Sequence, residues 1–184
     1  MALRTVSAGM RDRFLEEWLA CTLRTYPGQT GRFLREEPDP FRNPVGHTLG
    51  AALGALADEL FGGFDRARVT ASLDAVVRLR AVQDFSPAEA VGFVTLAHGA
   101  AGRVAEAGPP GLVAEWRGVL DARIDELVLI AAGLFERCRD EIRAIAERAV
   151  RRRVFVPERA RQRAMARAAS RGDTLPSVSR GEIP

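Results

Sequence analysis

The chain has 184 residues, of which 47% are hydrophobic and 28% charged, the balance of a globular domain. A chain of this length buries roughly two-thirds of its unfolded surface and needs neither metal nor disulfides to fold. The longest apolar run, residues 127–135, is far short of the roughly 20 residues that span a bilayer. Two cysteines, Cys21 and Cys138, exclude a disulfide scaffold, and no charged-then-apolar leader opens the sequence. A cytoplasmic location is the expectation.

All 27 basic residues are arginine. They are distributed unevenly: residues 151–184 carry a net charge of +6 and residues 1–150 a net charge of −3. The high isoelectric point therefore belongs to a tail and not to a basic domain.

Helical periodicity dominates. A first helix is expected over residues 8–25, with Phe14, Leu15, Trp18, Leu19 and Thr22 on one face. It stops at Tyr26-Pro27-Gly28, because the residue before a proline is pushed out of the helical region. A short helix with Phe33 and Leu34 follows, then a proline-rich loop. Asn43 caps a third helix, with Pro44 at its first position, where the missing N–H costs nothing. Val45, Leu49, Leu53, Leu56 and Leu60 face inward, and Gly62-Gly63 ends the helix.

Asp65 caps a fourth helix, with Val69, Leu73, Val76 and Val77 inward, ending near Gln83. Ser86-Pro87-Ala88-Glu89 combines an N-cap serine, a first-turn proline and a reciprocal glutamate, a capping box. The fifth helix presents Val91, Val94 and Leu96 and ends at Gly108-Pro109-Pro110-Gly111. A long sixth helix follows, since apolar residues from Trp116 to Ala149 recur at three- and four-residue steps. One small domain buries only part of that length, so residues 140–153 are a candidate contact for a second copy or a partner. Pro157 is expected to break the helix; residues 158–169 remain helix-permissive, and residues 170–184 read as disordered.

Enzyme signatures are missing. The sequence has no lysine-bearing phosphate loop, no Gly-x-Ser-x-Gly elbow, no Cys-x-x-Cys and no His-Glu-x-x-His. No catalytic residue, metal site or cofactor is assigned. His47, beside Gly46, raises haem ligation as a rival reading, against a histidine hydrogen-bonded near a helix start. His98 lies among small residues and suits a close helix crossing. Cys138, flanked by Arg137 and Arg139, is the better redox candidate of the two cysteines.

Arg80, Gln83 and Asp84 form either a brace between the fourth and fifth helices or a polar ligand or partner site, to which Asn43 and His47 add further candidates. In the tail, Arg151, Arg152, Arg153, Arg159, Arg161 and Arg163 suit an acidic protein surface or solubility. A second rival reading has them bind nucleic acid through counterion release, although only Phe155 is there to stack on bases.

Three segments together resemble the RsbRD N-terminal domain family: Trp18 with Tyr26-Pro27, the run Phe41-Arg42-Asn43-Pro44-Val45-Gly46-His47, and Arg78-Leu79-Arg80-Ala81-Val82-Gln83-Asp84-Phe85-Ser86-Pro87, followed by Cys138-Arg139. The resemblance covers about residues 10–145. It implies an all-helical, globin-like input module of a bacterial regulator, without haem and dimeric. RsbR-type proteins continue into an output domain, whereas only a low-complexity, arginine-rich segment of about 30 residues follows here, so signalling through another chain is implied. An accessory role beside respiratory complexes of sulfur metabolism is also implied by stand-alone relatives.

The combined expectation is an all-α helical bundle of about six helices over residues 1–153, with a long last helix, and an Arg-rich, largely disordered tail over residues 154–184. The expected function is a non-catalytic regulatory module that acts through a protein partner and forms a homodimer through the last helix.

Overall fold

The computed structural model describes residues 8–83, 85–106 and 110–171. Within them lie six helices: α1 (Ala8–Leu23), α2 (Gly28–Glu36), α3 (Pro44–Phe61), α4 (Arg66–Val82), α5 (Pro87–Glu106) and α6 (Pro110–Arg171). No strand occurs among the described residues, so the fold is all-α. The chain divides into two units, Met1–Arg139 and Asp140–Pro184.

Local sequence sets the helix starts. Asn43 Oδ1 accepts the Gly46 N–H at 2.8 Å, one of the N–H groups the first turn of α3 leaves without an intrahelical partner. Asp65 Oδ1 does the same for Ala67 N–H at 2.8 Å and Arg68 N–H at 3.3 Å. The capping box of α5 closes reciprocally: Glu89 Oε2 accepts from Ser86 N–H at 2.9 Å, and Ser86 Oγ accepts from Glu89 N–H at 3.4 Å.

In the first unit, α1 packs on α3 and α5, α3 lies along α4, and α2 bridges α1 and α3. The core runs through Phe14, Trp18, Leu49, Leu53, Leu56, Leu73, Val76, Phe93, Leu120, Ile124 and Leu127. Phe14 meets Trp18 and Phe61 at ring-centroid distances of 5.5 and 5.2 Å, and Phe61 continues to Trp116 of α6 at 6.1 Å. The buried indole of Trp18 donates Nε1–H to the Phe93 carbonyl at 2.7 Å, which satisfies its one polar atom. Arg123 of α6 donates to the Leu60 and Gly62 carbonyls and so closes the C-terminal end of α3. Beside it, Phe64 adopts φ 57°, in the left-handed region, under the Arg123 guanidinium.

Three details depart from the periodicity reading. On α5 only Val94 of the expected trio is fully buried; Val91 and Leu96 are half-buried. The inward face is Ala90, Phe93, Val94, Ala97, Ala100, Ala101 and Val104, because small alanines let α5 lie close to α1. On α3, Val45 of the expected inward set is half-buried, while Leu49, Leu53, Leu56 and Leu60 are buried.

The third departure is at Pro157, where helix continues to Arg171 and does not break. A mid-helix proline costs about 3 kcal/mol, but residues 158–169 are all alanine, arginine, glutamate, glutamine or methionine, the strong helix formers. In residues 140–151, which carry Ile145 and Val150 at 64% and 61% exposure, no residue is fully buried.

Candidate functional site

Arg80 sits in the last turn of α4 and is completely buried. Its Nη1 donates to the Glu89 carbonyl at 2.8 Å and its Nη2 to Thr25 Oγ1 at 2.9 Å. Three rings surround the guanidinium: Phe85 at 4.9 Å, Phe93 at 5.1 Å and Tyr26 at 5.3 Å from the carbon centre to the ring centroid. The negative faces of aromatic rings attract a cation, most strongly away from water. Among the described residues no carboxylate lies within ion-pair distance of Arg80, and its Nε–H has no hydrogen-bond partner. Burial pulls the Arg80 pKa below its ordinary value, partly opposed by Tyr26 and Glu89. Burial likewise pushes the Tyr26 phenol up, opposed by the Arg80 charge.

An open groove of about 620 Å³ lies beside this cluster, lined by Thr25, Tyr26, Pro27, Gln83, Phe85 and Glu89. Tyr26 Oη donates to Gln83 Oε1 at 3.3 Å across it. Tyr26 and Phe85 meet edge to face at 5.3 Å. Hydrogen bonds from Ser86 hold the Glu89 carboxyl below the usual carboxylate range. The structure thus brings Arg80 and Gln83 of the sequence candidates to one place. Asp84 lies outside the described residues.

Asn43 and His47 stand elsewhere, at the α2–α3 junction. Besides capping α3, Asn43 donates through Nδ2 to the Leu34 and Glu37 carbonyls, both at 2.9 Å, and is only 3% exposed. It ties the end of α2 to the start of α3. A Cβ at Gly46 would fall 2.6 Å from the Leu34 carbonyl oxygen, so it is α2's backbone that approaches this glycine. His47 is exposed and lines a groove of about 380 Å³ with Asn43 and Leu34.

Two clusters escaped the sequence reading because their members come from distant segments. His98 Nδ1 lies 2.9 Å from Asp121 Oδ1, and Nε2 lies 3.1 Å from Asp125 Oδ1, which clamps α5 to α6. Cys21 Sγ accepts from Arg24 Nη2 at 2.8 Å and from Arg103 Nη2 at 3.0 Å, and the residue is half-buried. Cys138 is buried. Partial exposure and cationic neighbours, the two conditions of a reactive thiol, therefore meet at Cys21. Only Arg24, three residues after Cys21, was within reach of a sequence reading; the other partners come from distant segments.

Among the tail candidates, Arg151 and Arg163 are exposed on α6. Arg152, Arg153, Arg159 and Arg161 also lie in α6, with side chains outside the described part. Among the described residues no group of three or more His, Cys, Asp or Glu side chains could hold a metal ion. No described helix is long and apolar enough to cross a membrane.

The model of the family described as "RsbT co-antagonist protein rsbRD N-terminal domain" matches residues 12–153. No curated protein and no solved structure matches the chain.

Proposed function

The chain belongs to the RsbRD N-terminal domain family, and from that premise we propose that it is a cytoplasmic, non-catalytic regulatory module that acts through a partner protein. The family is a regulatory one, which supports the signalling role. The observation that carries the interaction is the exposure of Ile145 and Val150 on α6. A helix in water gains most of its stability by packing an apolar face. Burying two large aliphatic side chains contributes about 1.5–3 kcal/mol each. A second copy of this chain, paired along residues 140–151, buries Ile145 on its seam with Val150, about 140° around the helix, at the seam's edge, and gives the homodimer.

The module then works by population shift. A ligand or partner that prefers one packing of the dimer biases what the helix presents. The exposed arginines Arg151 and Arg163 suit an acidic protein surface. Ligand candidates remain the Arg80–Gln83 region with Asp84, and the Asn43–His47 junction.

The test is affinity capture with the full-length chain from a lysate of its native organism, with nuclease added. The expected result is a defined protein partner, recovered by wild type and lost with the double variant Ile145→Asp/Val150→Asp. Recovery that disappears once nuclease is added would favour nucleic-acid binding by the arginines and contradict this reading.

A further inference from the structure

Arg80 holds a buried charge with no carboxylate at ion-pair distance among the described residues; the Glu89 carboxylate acts on it only from farther away. A guanidinium has five N–H bonds to satisfy. The Glu89 carbonyl and the Thr25 hydroxyl accept from Nη1 and Nη2, while Nε–H points at no acceptor among the described residues. Buried cations are ordinarily paired and hydrogen-bonded. Here aromatic faces stand where a carboxylate would be. Four of the six residues lining the adjoining groove, Thr25, Tyr26, Phe85 and Glu89, are also the ones that touch the guanidinium. Arg80 itself does not line the groove; these shared residues separate it from the guanidinium.

The geometry points to this groove as a binding site for a monoanionic carboxylate, whose oxygens pair with Arg80 and whose apolar part lies against Tyr26 and Phe85. The assignment rests on the ligand reading of the α4–α5 junction and gives it a chemical class. A planar carboxylate matches the guanidinium fork. A phosphate dianion brings a second charge toward Glu89, whose carboxylate lies on the same lining. The Tyr26 hydroxyl and the Gln83 amide offer neutral polar partners at the mouth. Phe85 lies between α4 and α5, outside either helix, so its ring can swing aside without unwinding one.

A free small acid and an acidic side chain of a peptide share this chemistry, and the test separates them. The full-length chain, labelled with ¹⁵N, is titrated with benzoate, with its neutral analogue benzamide, with inorganic phosphate, and with a short peptide carrying one glutamate. Arginine Nε–H resonances are followed, with the Arg80 signal assigned through Arg80→Lys. The expected result is a saturable Arg80 shift with benzoate at a concentration about tenfold lower than for benzamide or phosphate. Gln83→Ala, at the groove mouth, should weaken it several-fold even if Arg80→Lys does not fold. A peptide that binds more tightly than benzoate assigns the carboxylate to a partner segment; a weaker one assigns it to a free acid.

Equal binding of benzoate and benzamide, or no saturable Arg80 shift with any carboxylate, overturns the proposal. Benzoate binding that emerges only in Asp84→Asn also overturns it, because the counter-charge would then belong to this chain. Benzoate binding with no partner capture removes the partner reading and leaves this site standing. Capture without benzoate binding does the reverse.

Discussion

Replacing Asn43 by alanine should be among the most damaging single polar changes in the protein. The side chain makes three hydrogen bonds at once: one to the Gly46 N–H that caps α3, and two to the Leu34 and Glu37 carbonyls at the end of α2. Loss of an N-cap costs about 1 kcal/mol. Each of the other two bonds contributes about 1 kcal/mol, and at 3% exposure water has little room to replace them. The sum is about 3 kcal/mol, or a fall in Tm of about 6–12 °C for a chain of this size. Asn43→Ser keeps a capping oxygen and loses both donors, so it should fall between wild type and alanine. Urea unfolding followed by circular dichroism reads all three proteins. A cost for Asn43→Ala below about 0.5 kcal/mol would refute the reasoning, since it would mean that water or backbone relaxation restores the bonds.

Gly46→Ala should be destabilised by about 1–3 kcal/mol in the same assay, because the new Cβ meets the Leu34 carbonyl, a backbone atom that cannot swing away; an unchanged unfolding midpoint would show that α2 shifts freely. The capping box should weaken in acid. Ser86 holds the Glu89 pKa below its ordinary value of 4.5, so its stabilisation is full above that value and is lost as pH falls through the lower folded one. Glu89→Gln should therefore show a shallower acid loss of stability than wild type, and parallel pH curves would exclude the effect. Cys21 should react with a thiol reagent well before Cys138, since it is half-buried beside Arg24 and Arg103 while Cys138 is buried. Equal labelling rates in the folded protein would contradict that assignment.

The helices were legible in the sequence where local chemistry decides them. Asn43-Pro44, Asp65 and the Ser86–Glu89 box each act within three or four residues, and each caps the helix expected of it. The apolar steps of α6 from Trp116 to Cys138 likewise became its buried face. The face of α5 was misphased because alanine carries little hydrophobic weight in a periodicity reading, yet it decides how closely two helices approach. Pro157 misled because its local cost was given more weight than the helix-forming residues 158–169, although these were read as helix-permissive.

The candidate site was half legible. Arg80 and Gln83 stand out beside the capping box; the structure places Gln83 on the groove and Arg80 buried behind the rings that line it. The aromatic cage was not legible, because Thr25 and Tyr26 lie more than 50 residues from Arg80 and reach it only through packing. The same holds for His98, whose carboxylate partners are 23 and 27 residues away on another helix.

Sedimentation of the full-length chain over a range of concentrations tests most directly whether α6 is where this module meets another chain. The account predicts a dimer for wild type and a monomer of unchanged helical content for Ile145→Asp/Val150→Asp. A wild-type monomer at every concentration, or a dimer that the double variant leaves intact, would contradict it.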